Sequence, residues 1–436
     1  MSEKLAGELF AFIKNSPSSF HAAETMRKEL ESCGYEQLLE SRDWNLKAGG
    51  KYYVIRNASA LIAFRIPNKN FAGFQIMASH SDSPTFKIKE NPEIEAEGHY
   101  VKLNVEKYGG MLCAPWFDRP LSVAGRLMVK EGNHIVSKLV NIDRDLLMIP
   151  NLAIHMNREA NDGIKYHAQK DMLPLYGDET AKGSFMEQIA EAAGVDRQNI
   201  IGKDLFLYNR MPGSIWGANN EYMSVGKLDD LQCAFASLKG FLQAEEGESI
   251  PVHCVLDNEE VGSGTRQGAA STFLYDTLAG ICECMGKTQQ QYRRLIASSL
   301  MLSADNGHGV HPNYSEKACP TNRPYLNGGI MIKYSANQKY TTDGLAAAMF
   351  KEICSQAEVP YQIYLNHSDV LGGSTLGNIS GTQVALNTVD IGTALLAMHS
   401  PYETGGVKDT EYLVRAARKF FEVSVTEESY GVYTVK

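Results

Sequence analysis

From Ser224 to the C-terminus the sequence alternates between short apolar runs and longer stretches of helical spacing, and few folds accommodate that alternation. Residues 228–245 read as a helix, 252–256 as a strand, and 265–284 contain a helix. A strand at 298–304, a helix at 342–356, strands at 361–365 and 383–389 and a helix at 410–421 follow. Strands alternating with helices imply an α/β layer: a mixed, largely parallel sheet flanked by helices. The first ninety residues fit the same layer. Two helices, one ending at Asn15-Ser16-Pro17 and one over 20–33 stopped by Gly34, precede strands at 52–56, 60–66 and 73–79.

Between these parts the texture differs. Residues 91–223 are rich in short strands (101–105, 123–129, 134–140) and turns such as Gly109-Gly110, with one clear helix at 183–193. The expected organisation is a catalytic-type domain split into 1–90 and 224–436, with an inserted mostly-β domain at 91–223. The 436-residue length agrees, because single cores stop growing near ~250–300 residues.

Charge and cysteine usage exclude several classes. There are 51 Asp and Glu against 42 Lys and Arg, a net charge of −9, so no nucleic-acid partner is expected. No stretch approaches the ~18 apolar residues of a membrane span, and the N-terminal pattern is helical rather than that of a leader. The eight cysteines form no CxxC pair, which fits buried free thiols in a reducing, cytoplasmic compartment.

The polar residues collect where ligands bind in such sheets, beyond the carboxyl ends of strands. The strand at 73–79 runs into His80-Ser81-Asp82, and that at 252–256 into Asp257-Asn258-Glu259-Glu260. The strand at 298–304 runs into Asp305, and that at 361–365 into Asn366-His367-Ser368-Asp369. His399 follows the strand at 383–389, and Asp229-Asp230 opens the helix after the insert. Singly, such residues are usually helix caps or loop residues. Together they would repel one another unless cations lie among them, and no Lys or Arg cluster interleaves these segments. Histidine with carboxylate suits zinc, manganese or cobalt better than calcium. Two histidines and three carboxylates, one of them shared, can hold two ions and leave a fourth carboxylate as general base, the arrangement of two-metal peptide hydrolysis.

The segments SHSDSP (79–84), KLDDL (227–231), DNEEVGSGTRQGA (257–269), SADNGHGVHPNY (303–314) and AMHSPYE (397–403) resemble the aspartyl aminopeptidases, dinuclear zinc exopeptidases. WFDRPL (116–121) and NLAIHMNR (151–158) resemble that family's insert domain. The resemblance runs in order along essentially the whole chain. It implies a zinc-exopeptidase-type fold with an inserted dimerisation domain. It implies two zinc ions per subunit, with manganese or cobalt as alternatives. His80, Asp229, Glu260, Asp305 and His399 would be the metal ligands. Asp82 would orient His80, and Glu259 would be the general base. Asp230 as the bridging residue, with Asp229 as helix cap, is the alternative. Glu259 and Glu260 are expected to diverge as neighbours in an extended segment do.

The resemblance also implies substrate contacts. Lys333, in GIMIKYSANQKY, would favour an acidic first residue, and His308 or His311 would touch the substrate. His155 would reach a partner subunit's site. The implied activity is removal of N-terminal Asp or Glu from peptides, in dimers that build a tetrahedral dodecamer. Alternatives are a zinc aminopeptidase of neutral specificity, a dinuclear deacylase of acylated amino acids, and a catalytically silent shell or cargo-binding protein.

Overall fold

A computed structural model describes residues 2–68 and 70–436. Its centre is a nine-stranded sheet. The strands Ile250–Leu256, Phe74–His80, Leu300–Ala304 and Asn387–Gly392 lie side by side and parallel in its middle. Lys51–Arg56 and Ala60–Arg65 extend one side as an antiparallel pair, and Ile330–Lys333 joins the other side antiparallel to Asn387–Gly392. The sheet is mixed with a parallel centre, as the alternation implied.

Side chains alternate between two cores because successive residues of a strand face opposite ways. Ile76 and Ala78 pack with Phe273, Leu278 and Leu295 of the helices Phe273–Cys284 and Gln289–Ala297. Met77 faces the other side, with Leu231, Phe350 and Leu413 of the helices Leu228–Gln243, Gly344–Gln356 and Asp409–Glu422. The N-terminal helices Ser2–Lys14 and Ser19–Ser32 join that second core through Leu9, Phe12, Met26 and Leu30.

A histidine is buried beside this core. His253 stacks on Phe241, its Nδ1 lies 2.8 Å from Ser237 Oγ, and burial pushes it down to about 3. The unfolded chain protonates this imidazole below its ordinary 6.5, the folded chain only near 3. Stability present above pH 6.5 is therefore lost as pH falls toward 3, by up to about 5 kcal/mol. His253→Leu is expected to flatten the acid limb of unfolding free energy against pH, read by urea titration at pH 7 and pH 4. An unchanged slope would remove His253 from the acid sensitivity.

Between the strands Phe74–His80 and Ile250–Leu256 the chain builds a separate six-stranded antiparallel sheet. It is made of Thr85–Ala96, Tyr100–Tyr108, Leu121–Glu131, His134–Asn141, Leu175–Asp178 and Ile200–Asn209. The helix Phe185–Ala193 packs into its own core through Phe185 and Ile189. The first strand begins at Thr85, immediately after SHSDSP, so no linker separates the two sheets. A third sheet joins Tyr222–Val225 to Glu403–Gly406 and, through Ala394–Leu396, to Gly307–His308. The helix Gln289–Ala297, the strand Ile330–Lys333 and the hairpin Val425–Ser429/Val432–Val435 are elements the apolar spacing does not announce. Among the described residues no helix is long and apolar enough to cross a membrane.

Candidate metal centre

The parallel centre of the sheet brings its carboxyl ends to one edge, and the candidate residues emerge there. His80 is the last residue of its strand and is buried. Beyond Leu256, Asn258 adopts a left-handed conformation (φ +62°) and Gly262 another (φ +94°). The residues between them, Glu259–Val261, form a 3-10 turn rather than the extended segment expected. With three residues per turn, neighbours still diverge by about 120°. Glu259 reaches toward His80 (Oε2 to Nε2 4.0 Å) and Glu260 toward His399 (Oε2 to Nε2 3.4 Å).

The acidic pair opens its helix irregularly. Asp229 and Asp230 both have non-helical backbone, with a cis peptide between them. Neither acts as a helix cap. Asp229 Oδ1 lies 3.8 Å from His80 Nε2 and its Oδ2 lies 3.3 Å from His399 Nε2, so this carboxylate sits between the two histidines. Asp230 turns away and accepts the backbone N–H of His80 at 3.1 Å. Ligand atoms of His80, Asp229 and Glu260 lie within 4.8 Å of one another, and so do those of His80, Glu259 and Asp305.

Electrostatics separates these carboxylates. Burial pushes Glu259 up to about 8, with Asp305, Asp82 and Asp229 adding and His80 opposing. Burial also drives Glu260 and Asp230 upward. Burial alone would raise Asp229 too, but His399 and His80 hold it below its ordinary value. Asp229 Oδ1, Asp230 Oδ1 and Glu260 Oε1 are buried without a hydrogen-bond partner. A buried, unpaired anionic oxygen is costly. Divalent cations would supply what these oxygens lack, and the donor set of imidazole and carboxylate suits zinc.

One cation of the chain does lie in the cluster, contrary to the expectation from the local segments. Lys333 comes from the inner face of the strand Ile330–Lys333 and is 2% exposed. Its ammonium contacts Asp305 Oδ1 at 3.2 Å and donates to the carbonyl of Asn306 at 2.7 Å. It is a buried partner of Asp305 rather than a free cation at a pocket wall.

The other candidates fall in different places. His308 and His311 line a neighbouring cavity of about 370 Å³ with Tyr314, His367 and Met398. His155 is exposed on the 3-10 turn Ile154–Met156 of the second sheet's long loop and, among the described residues, joins no group that could hold a metal. Asp369 is exposed, its carboxylate 3.8 Å from His367 Nδ1 and its N–H donating to that nitrogen at 3.2 Å, so this strand end stays outside the carboxylate cluster.

Glu403 is a further site residue, one to which the sequence alone assigns no role. It is 1% exposed and accepts the backbone N–H groups of Asp229 (3.0 Å) and His399 (2.8 Å). One carboxylate thus holds the backbone of two candidate ligands, and burial pushes it up to about 8. Its sequence signal is its place as the last residue of the AMHSPYE segment (397–403).

Comparison with known proteins gives a consistent family. The family description "aminopeptidase I zinc metalloprotease (M18)" matches residues 12–421. A "probable M18 family aminopeptidase 2" of Clostridium novyi is 45% identical over 428 residues, covering 96% of this chain and 99% of that protein. The Ape4 chain of a complex with Nbr1 superposes with a TM-score of 0.93 at 34% identity, over 97% of this chain and 86% of that one. A S. cerevisiae mApe1 dodecamer superposes at 0.84 with 28% identity, over 96% of each chain.

Proposed function

Because the chain belongs to the M18 zinc metalloprotease family of aminopeptidases, we propose that it removes N-terminal acidic residues from peptides at the His80–Asp229–His399 centre. The observation that carries the reading is Asp229 placed between two imidazoles, with orphaned carboxylate oxygens around it. His80, Asp229 and Asp305 would hold one ion, and Asp229, Glu260 and His399 a second. Two bound zinc ions would polarise the scissile carbonyl and acidify the attacking water. Glu259 takes that water's proton and returns it to the leaving amine, a task suited to a carboxyl raised toward neutrality. The backbone carbonyl of Asp82, 3.1 Å from His80 Nδ1, and its carboxylate at 3.3 Å keep the proton on Nδ1 and leave Nε2 free as a ligand.

The acidic preference is supported by the motif resemblance. The ion pair with Asp305 favours a second reading, in which Lys333 orders Asp305 and the first-position preference is neutral. Self-association is supported by the exposed Leu152, Ile154 and Met156 flanking His155, an apolar surface of the kind that partners cover. We place His155 against a partner subunit's site in dimers that build a dodecamer. Eight free thiols suit a cytoplasmic location.

The test compares chromogenic amides of Asp, Glu and Leu before chelation, after it, and after zinc is restored. Asp or Glu release is expected to exceed Leu release about tenfold or more, the worth of one charge-assisted contact. It should vanish on chelation and return with zinc. Preferential Leu release would select the neutral reading. Activity surviving verified metal removal would end the metal reading.

A further inference from the structure

The second sheet touches the metal centre through its segment 108–112. Gly109 (φ +77°) lies so close to Glu260 that an added Cβ would sit 3.1 Å from the glutamate's Cβ. The Leu112 N–H donates to the carbonyl of His399 at 3.2 Å. The polar contact of this segment is Tyr108, last residue of the strand Tyr100–Tyr108, whose phenol donates to Asp82 Oδ2 at 2.7 Å.

Asp82 does more than face His80. Its Oδ1 also accepts the Glu259 N–H, and its Oδ2 the Glu260 N–H, each at 3.2 Å. Asp82 therefore orients the imidazole of His80, through its backbone carbonyl (3.1 Å from Nδ1) and its carboxylate (3.3 Å), and pins the turn that carries both glutamates. With three hydrogen bonds on its two oxygens and His80 Nδ1 3.3 Å from Oδ1, this carboxylate cannot rotate without loss. Of these three hydrogen-bond donors, Tyr108 is the one that comes from the second sheet.

The direction of that hydrogen bond is set from behind. Asn258 Oδ1 accepts Thr265 Oγ1 (2.8 Å) and Gln267 Nε2 (2.7 Å), so its amide nitrogen faces Tyr108 and donates to the phenol oxygen at 2.8 Å. A phenol that receives a donor on its oxygen points its own proton at Asp82. Asn258 holds the left-handed conformation that asparagine tolerates better than most residues, at the start of the glutamate turn. The ring packs edge-on against Phe206, 5.6 Å between centroids, which fixes its reach.

We propose that Tyr108, aimed by Asn258, is a positioning residue through which the second sheet holds Asp82, and with it His80 and the Glu259–Glu260 turn, in metal-binding geometry. This rests on the reading of the site as a zinc centre. Loss of an outer hydrogen-bond partner of a metal ligand typically costs about 10–100-fold in metal affinity or activity.

The experiment uses the full chain with Tyr108→Phe, which keeps the ring, and Tyr176→Phe as control. Tyr176, on the strand Leu175–Asp178, carries another phenol of this sheet, bonded to Ser184 at 2.7 Å and far from the cluster in sequence and contacts. Zinc affinity is measured by competition with a chromophoric chelator, and kcat and KM on the best amide substrate. Tyr108→Phe is expected to weaken zinc binding about tenfold or more and to lower kcat similarly, with KM within about twofold. Asn258→Ala should do the same, and the double variant should be no worse than the poorer single one. Unchanged zinc affinity and kcat in Tyr108→Phe overturn the proposal. An equal loss in Tyr176→Phe also overturns it, since the effect would then be general loosening of the sheet. A wild-type chain that binds no zinc overturns the zinc reading itself, a result distinct from either.

Discussion

Glu259→Gln is expected to lower kcat by about 10³-fold or more while zinc affinity stays within a few-fold of wild type. The substitution keeps the shape and hydrogen-bonding length of the side chain and removes its capacity to take a proton. Glu259 stands 4.0 Å from His80 Nε2, is mostly buried, and is pushed up to about 8. These are the conditions under which a carboxyl exchanges protons near neutral pH. Glu260, one residue on, points toward His399 instead and has an oxygen with no hydrogen-bond partner. Glu260→Gln should therefore lose zinc as well as turnover. The two variants separate a proton carrier from a ligand when kcat and zinc per chain are measured on the same preparations. Wild-type turnover in Glu259→Gln would dismiss Glu259 as the base.

If the centre holds two zinc ions as proposed, Asp229→Ala is expected to leave at most one per chain and to lower turnover about 10³-fold or more. The reason is position. Its two oxygens face different histidines, so removing it leaves each candidate ion one anionic ligand short. The same substitution should abolish much of the thermal stabilisation that zinc confers. An ion held at a thousand times its dissociation constant contributes about 4 kcal/mol, so loss of one or both is visible in a melting curve with and without metal. Asp230→Asn is the comparison. Asp230 accepts the His80 N–H, and a carboxamide oxygen can still accept that bond. It should keep both ions. If Asp230→Asn loses zinc and Asp229→Ala does not, the bridging role passes to Asp230.

How much of this centre is legible without coordinates differs residue by residue. His80, Asp305 and the Asp257–Glu260 run follow apolar strands directly, and their ends share one sheet edge because the central strands are parallel. That inference needs only strand periodicity and the rule for open sheets. Lys333 is different. It ends a short strand that the apolar spacing does not reveal, and its burial beside Asp305 depends on that strand inserting antiparallel to Asn387–Gly392. Glu403 and Tyr108 lie further still from local pattern, because each acts on backbone or carboxylate groups supplied by distant segments. Glu403 holds residues 229 and 399, and Tyr108 holds Asp82 from another sheet.

The sequence by itself determined the α/β class, the segments that carry chemistry and the family, because periodicity, strand-end polarity and contiguous motifs are local properties. Only the tertiary structure decided that Asp229, not Asp230, stands between the histidines. That choice turns on one carboxylate accepting the His80 N–H while its neighbour faces two imidazoles. Adjacent, chemically identical residues carry no local signal to tell them apart. Their roles follow from which partners the folded backbone presents to each.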